Sequence, residues 1–365
     1  SQYVDFFAWR CNQRNLQRQR QYIIGGKLIL ETMIGINRAI LHILDFNSNL
    51  TVFSEQELEL GSGSAASYLM KHLERSFTDP ALKSGAFNQT SAMKADLAAY
   101  AAGEISFVQL STRIAESLYQ AIAQSDKLVS ADVLVCDISV NGEQVVAILK
   151  CNNRVGFTHQ VAQGEAGISN SIIHHYAILP SLAHKLDEYA FVWVESGEIR
   201  FVDKKCSIGG NDVYILPEIV LDCSSRASQK DTIAMVTSIT RKVAEIHGEN
   251  PAIAVSRAKT LIIENAEVSE YLDPQELGSA VFAASPLMQQ QYLQEAAQAG
   301  LDEAVKIDRN LAVRTGRTHK LKTDIGIEIT IPIDYFQNQD YVEFINNPNG
   351  TLSISLKNIG KLVDK

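Results

Sequence analysis

At 365 residues the chain exceeds the usual size of one hydrophobic core, so two or more folding units are expected. Its 46% hydrophobic and 21% charged residues are the balance of a soluble globular protein and exclude a disordered or collagen-like chain. A net charge of −9 argues against general coating of nucleic acid, and no apolar run approaches the roughly eighteen residues a membrane span needs.

Residues 1–32 are rich in Gln and Arg and form a basic extension with Arg10, Arg14, Arg18 and Arg20. Two readings stand: an arm lying along DNA, or an upstream extension without a role in the fold, which is favoured. Its apolar residues, among them Phe6, Trp9, Ile23 and Leu30, could order it by packing on a neighbour.

Residues 33–127 read as an N-terminal α+β region. Ile36–Asp45 is expected as a strand, Asn47-Ser48-Asn49 as a turn, and Leu50–Leu60 as the partner strand. Gly61-Ser62-Gly63-Ser64 offers an N-cap to a helix over Ala65–Phe77, and lacks the Lys-Ser/Thr that would make it a phosphate cradle. Pro80–Asn88 reads as a loop, followed by helices near Ser91–Ala102 and Phe107–Ser125.

Residues 128–223 read as antiparallel and β-rich. Ala131–Val140 and Gln144–Asn152 flank Asn141-Gly142, a strong hairpin signal. Arg154–Val161 is expected to extend this meander; Gly164–Ser171 is loose, and Ile172–Leu179 is ambiguous. Tyr189–Glu195 and Glu198–Lys204 form a second hairpin, and a last strand is expected near Val213–Leu221.

Residues 224–365 open with helices over Ser228–His247 and Pro251–Ala266, and further helices begin at Asp273-Pro274 and Ser285-Pro286. A basic segment follows, in which Lys306, Arg309, Arg314, Arg317, Lys320 and Lys322 face only Asp308 and Asp324. Its net charge of +4 leaves the remainder near −13. Alternating runs at Ile327–Ile331, Tyr341–Ile345 and Leu352–Leu356 then predict a small antiparallel sheet. The whole is an α+β chain.

Asp137 and Lys150 lie on consecutive predicted strands, as in a metal-dependent nuclease, but Ile148 occupies the position where a second carboxylate would share the ion. His174-His175 lacks further ligands at metal spacing, and His159 has no acid or nucleophile tied to it and reads as structural. Cys11, Cys136, Cys151, Cys206 and Cys223 show no CxxC spacing and read as reduced, mostly buried thiols. No catalytic residue, cofactor or metal is assigned. Tyr335, Phe336 and Tyr341 could stack on bases, with a place in the core favoured.

Several blocks together resemble the bacterial nucleoid-associated protein family (NdpA-like). They are HKLKTDIGIEITIPIDYF with VEFINNPNGTLSISLKNI, ADVLVCDISVNGEQVVAILKCN with FTHQV, ILPSLAHKLDEYAFVWV, and the opening INRAILHILD. His159, Lys150 and Lys185 match family positions whose role stays open. The resemblance implies a cytoplasmic, nucleoid-located, non-enzymatic protein that associates with double-stranded DNA. Contact with nucleoid proteins and a homodimer are left open, and no membrane partner is implied. Under that reading the six cations of the basic segment contact phosphates, which position a protein without reading sequence. The alternatives are an adaptor docking nucleoid or phage-defence enzymes and, third, a metal-dependent nuclease.

Overall fold

A computed structural model describes residues 21–24, 27–30, 32–61, 63–164, 167–336, 338–348 and 351–361. The arginines expected to form a basic arm lie outside these residues. The short strands β1 (Gln21–Ile24) and β2 (Lys27–Leu30) pair with each other. The main sheet begins with β3 (Ile34–Asp45) and β4 (Leu50–Val52). The strand expected to run on to Leu60 stops early because Ser54 turns the chain inward. Its N–H donates to His42 Nδ1 at 3.1 Å, and its hydroxyl donates to the Leu41 carbonyl.

Helix α1 (Ser64–Phe77) starts at Gly63 without a side-chain cap, so the expected serine cap is not made. Strand β5 (Lys83–Ala86) replaces part of the expected loop: this segment lacks any apolar alternation and becomes a strand only by pairing with a sheet edge. Helices α2 (Ala92–Ala101) and α3 (Phe107–Ala123) are capped by Ser91 and Ser106, the latter in a capping box with Gln109. Strands β6 (Ala131–Val140) and β7 (Glu143–Asn152) form the expected hairpin, with Asn141 at φ 50° and Gly142 at φ 94°, both the positive values a two-residue turn of this kind requires.

Strand β8 (Arg154–Gly164) does not extend the meander. It pairs with β9 (Gly167–Ile178) in a separate ribbon, because β7 already has β6 on one side and β10 (Glu188–Trp193) on the other. Strand β11 (Glu198–Val202) then completes a seven-stranded antiparallel sheet in the order β4-β3-β6-β7-β10-β11-β5. Strands β12 (Lys205–Ile208) and β13 (Asn211–Tyr214) form a small hairpin. The last strand expected near Val213–Leu221 gives way after Tyr214 to a π-helical turn over Ile215–Val220, where Pro217 has no N–H to offer a ladder.

Both faces of the sheet are covered. Leu69 and Leu73 of α1 pack on the face carrying Leu134, Cys136, Tyr189 and Phe191, and α2, α3 and the π turn pack on the face carrying Val133, Val135, Val146 and Ile148. Central strands buried on both faces explain the near-continuous apolar sequence of β6 and β7.

A second core is helical. Helices α4 (Gln229–Ile246), α5 (Pro251–Val268), α6 (Pro274–Val281) and α7 (Pro286–Gln298) begin at the capping residues Ser228, Asn250, Asp273 and Ser285. They pack around Tyr292, Val236, Val243 and Ala258. Strand β14 (Tyr271–Leu272) pairs with β15 (Val305–Lys306), which leads into α8 (Arg309–Gly316). Strand β16 (Thr318–Lys322) pairs with β17 (Glu328–Pro332); after the short α9 (Ile333–Phe336), β18 (Val342–Asn346) pairs with β19 (Leu352–Leu356). The C-terminal strands therefore form two hairpins rather than one three-stranded sheet, sharing a small core of Ile331, Phe336 and Val342.

Candidate nucleic-acid interface

The basic segment is structured along its length. Asp308 caps α8 by accepting the Leu311 N–H at 3.0 Å, and Leu311, Ala312 and Gly316 form the buried face. Residues on the opposite face are spaced three and four apart, which sets Asn310, Val313, Arg314 and Arg317 side by side. Together with Arg309 they line one open cleft of about 470 Å³. Three guanidinium groups thus border a single concavity in an acidic chain. Arg314 also lies in the last turn of α8, where a cation complements the helix dipole.

The other three cations lie outside the lining of that cleft. Lys306 is on β15, and its ammonium sits 3.2 Å from Glu270. Lys320 and Lys322 are exposed on β16, while His319 before them is buried and Leu321 between them half-buried, the period-two alternation of a half-covered strand. Lys322 pairs with Glu328 at 3.3 Å and Arg309 with Glu267 at 3.7 Å. These exposed pairs contribute little and can be exchanged for phosphate. Among the described residues, Arg314, Arg317 and Lys320 make no ion pair.

Two further cations lie close to this surface. Lys259 of α5 donates to the Thr318 carbonyl at 3.1 Å. Burial first, then the charges of Lys259 and Arg241, hold the His319 imidazole well below its ordinary value, at about 4. Burial and Arg241 likewise lower the Lys259 ammonium. Sequence reading missed both cations because they sit on amphipathic helices far upstream, where nothing local links them to the basic segment. Tyr335 and Tyr341, expected in the core, are instead 48% and 38% exposed and meet edge to face at 5.0 Å, whereas Phe336 is buried.

The nuclease constellation is not assembled. Asp137 is buried and accepts from Asn37 at 2.9 Å, from Gln144 at 2.6 Å and from the Tyr100 hydroxyl. Lys150 is held elsewhere, donating to Glu188 at 2.7 Å and to Asn152 at 2.8 Å inside the sheet layer. Asp203 lies close enough that burial, and then the Glu188 charge, raises its carboxyl above the usual range. Lys150 is therefore the cation of a buried polar network, where removing one partner would leave the other charge uncompensated. Lys185 pairs with Asp79, which also accepts the Tyr189 hydroxyl. His159, expected to be structural, is exposed on β8 opposite Ile172, and His174 meets Phe157 with the rings tilted at 47° and their centres 4.5 Å apart. Cys136, Cys151 and Cys223 are buried free thiols, and Cys206 is half-buried.

The sequence pattern of the family described as "Nucleoid-associated protein YejK" matches residues 40–362. The chain belongs to that family. The match spans the seven-stranded sheet, the helical core and both C-terminal hairpins, so the YejK family assignment covers the basic surface as well. The YejK family is a nucleoid-associated one and not a known enzyme family. No curated relative matches the chain. Among the described residues, no helix is long and apolar enough to cross a membrane.

Proposed function

We propose that the chain binds double-stranded DNA without catalysis, non-specifically or with weak specificity, through the surface formed by α8 and β16. The observation that carries this reading is the cleft bordered by Arg309, Arg314 and Arg317, two of them free of ion pairs among the described residues. Guanidinium groups in a fixed fork suit bidentate contact with phosphate. Lys306, Lys320 and Lys322 would extend the track. Among the described residues no helix-turn-helix or zinc arrangement supports base readout, so the contacts would position the protein on the backbone.

The test is a mobility titration against duplex and single-stranded DNA at two salt concentrations. If four of the six cations contact phosphates, log K should fall with log salt at a slope of roughly −3 to −4 on duplex. Arg314→Ala/Arg317→Ala should weaken binding alike for all sequences and flatten the slope by about 2. Unchanged affinity and slope in that variant would remove α8 from the interface. A preference for single strands that is lost on Tyr335→Ala would instead assign the exposed tyrosine pair to base stacking.

A further inference from the structure

The β8–β9 ribbon belongs to neither core: among the described residues its strands ladder only with each other. A lone two-stranded hairpin is marginally stable in water, and strands of 11 and 12 residues are long for one. The register divides the side chains into two unlike faces. The pairs Phe157–His174, His159–Ile172, Val161–Asn170 and Gln163–Ile168 lie on one face, and Thr158–Ile173, Gln160–Ser171 and Ala162–Ser169 on the other. On the first face Phe157 is 69% exposed, Ile168 72% and Ile172 79%. At the ribbon's base Asn153 donates to the Ser130 carbonyl at 2.9 Å, next to the exposed Leu128 and Val129.

We infer that this apolar face is a dimerisation surface whose occupant is the same face of a second copy of the chain. Charge selects the partner. From Arg154 to Ile178 the sequence holds one arginine and one glutamate, in a chain where 21% of residues are charged. A phosphate backbone or an anionic lipid surface calls for cations that this face lacks. A second copy presents, by two-fold symmetry, the same neutral apolar face.

Size agrees with that occupant. With a rise of about 3.3 Å per residue and strands about 4.8 Å apart, the face measures roughly 30 by 10 Å before side-chain relief. Two copies stacked antiparallel would set the tip residue Ile168 of one over Phe157 of the other. Such a clasp removes on the order of 1,000 Å² in total, the threshold of a specific interface. Ile172, midway along the ribbon, would lie near the two-fold axis.

Sedimentation velocity on the full chain, from low to high micromolar concentration, tests the inference and is independent of DNA binding. The parent chain should sediment as a dimer. Ile168→Lys/Ile172→Lys should weaken association about 100-fold or more by burying charge at the contact, whereas Thr158→Lys/Ser171→Lys on the polar face should leave the dimer intact. Should the first variant fail to fold, oxidative cross-linking decides: Ile172→Cys should give a disulfide-linked dimer above the parent background, and Ser171→Cys should not. A monomeric parent chain, a dimer untouched by the lysines on the apolar face, or no difference between the two cysteine variants would overturn the inference.

Discussion

His42 lies fully inside the sheet layer, its Nδ1 accepting the Ser54 N–H while its Nε2 finds no partner. Burial holds its imidazole well below the ordinary value, at about 4, as it does for His319. The folded ring is therefore neutral across a range in which the unfolded ring takes up a proton near its ordinary value. Stability from the neutral ring is fully present above that unfolded value and is lost as pH falls through the folded one. Asp203, raised by burial and by Glu188, has the opposite sign: its cost is absent at low pH and grows as pH rises through its raised value. Comparison with a variant isolates the histidine. Between neutral and mildly acid pH, His42→Leu should lose about 2–3 kcal/mol less stability to urea than the parent, order of magnitude. At neutral pH it should cost about 1 kcal/mol through the orphaned Ser54 N–H. Equal acid loss in both proteins would clear His42 of any part in it.

Helix α8 owes its position to a missing side chain. A Cβ at Gly316 would stand 2.6 and 2.8 Å from the Ile263 side chain and 3.3 Å from the Lys259 carbonyl, so a larger residue would have to displace Ile263 for α8 to lie this close to α5. Alanine favours a helix by about 1 kcal/mol over glycine, which isolates packing as the term under test. Gly316→Ala should lower stability by about 1–3 kcal/mol in thermal or urea melts, because the close approach outweighs propensity. The arginine cleft should be disturbed with it, and DNA affinity should fall. A stabilised Gly316→Ala protein would mean that α8 rests loosely on α5.

Among the described residues, the β8–β9 ribbon and the two C-terminal hairpins lie outside the two main cores. The sheet itself starts at Met33, whose N–H donates to Asn141 Oδ1 at 3.0 Å and whose carbonyl accepts the Asn141 N–H at 3.0 Å. A chain beginning at Met33 retains both bonds. It should melt within about 3 °C of the full chain by calorimetry. A much larger drop would place residues 1–32 in a core or in an interface between copies.

Local features were legible in the sequence because each is decided within a few residues. Asn141-Gly142 supplies the two positive φ angles of its turn, and Ser91, Ser106 and Ser228 cap helices by accepting an N–H three residues on, whereas the short α8 behind Asp308 carries too few apolar residues to stand out from the basic segment. The six cations from Lys306 to Lys322 are adjacent in the chain, and the blocks resembling the nucleoid-associated family are contiguous. Tertiary structure decided everything that depends on which sheet edge is vacant and which charge is buried. Residues 83–86 became a strand because β11 had a free edge, and β8 was excluded from the sheet because β7 had none. Lys150 found its counterion at Glu188, 38 residues away, and Arg241 and Lys259 came to lie close to β16 from helices of the second core. Edge vacancy and desolvation are properties of the assembled layers, and no window of sequence contains them.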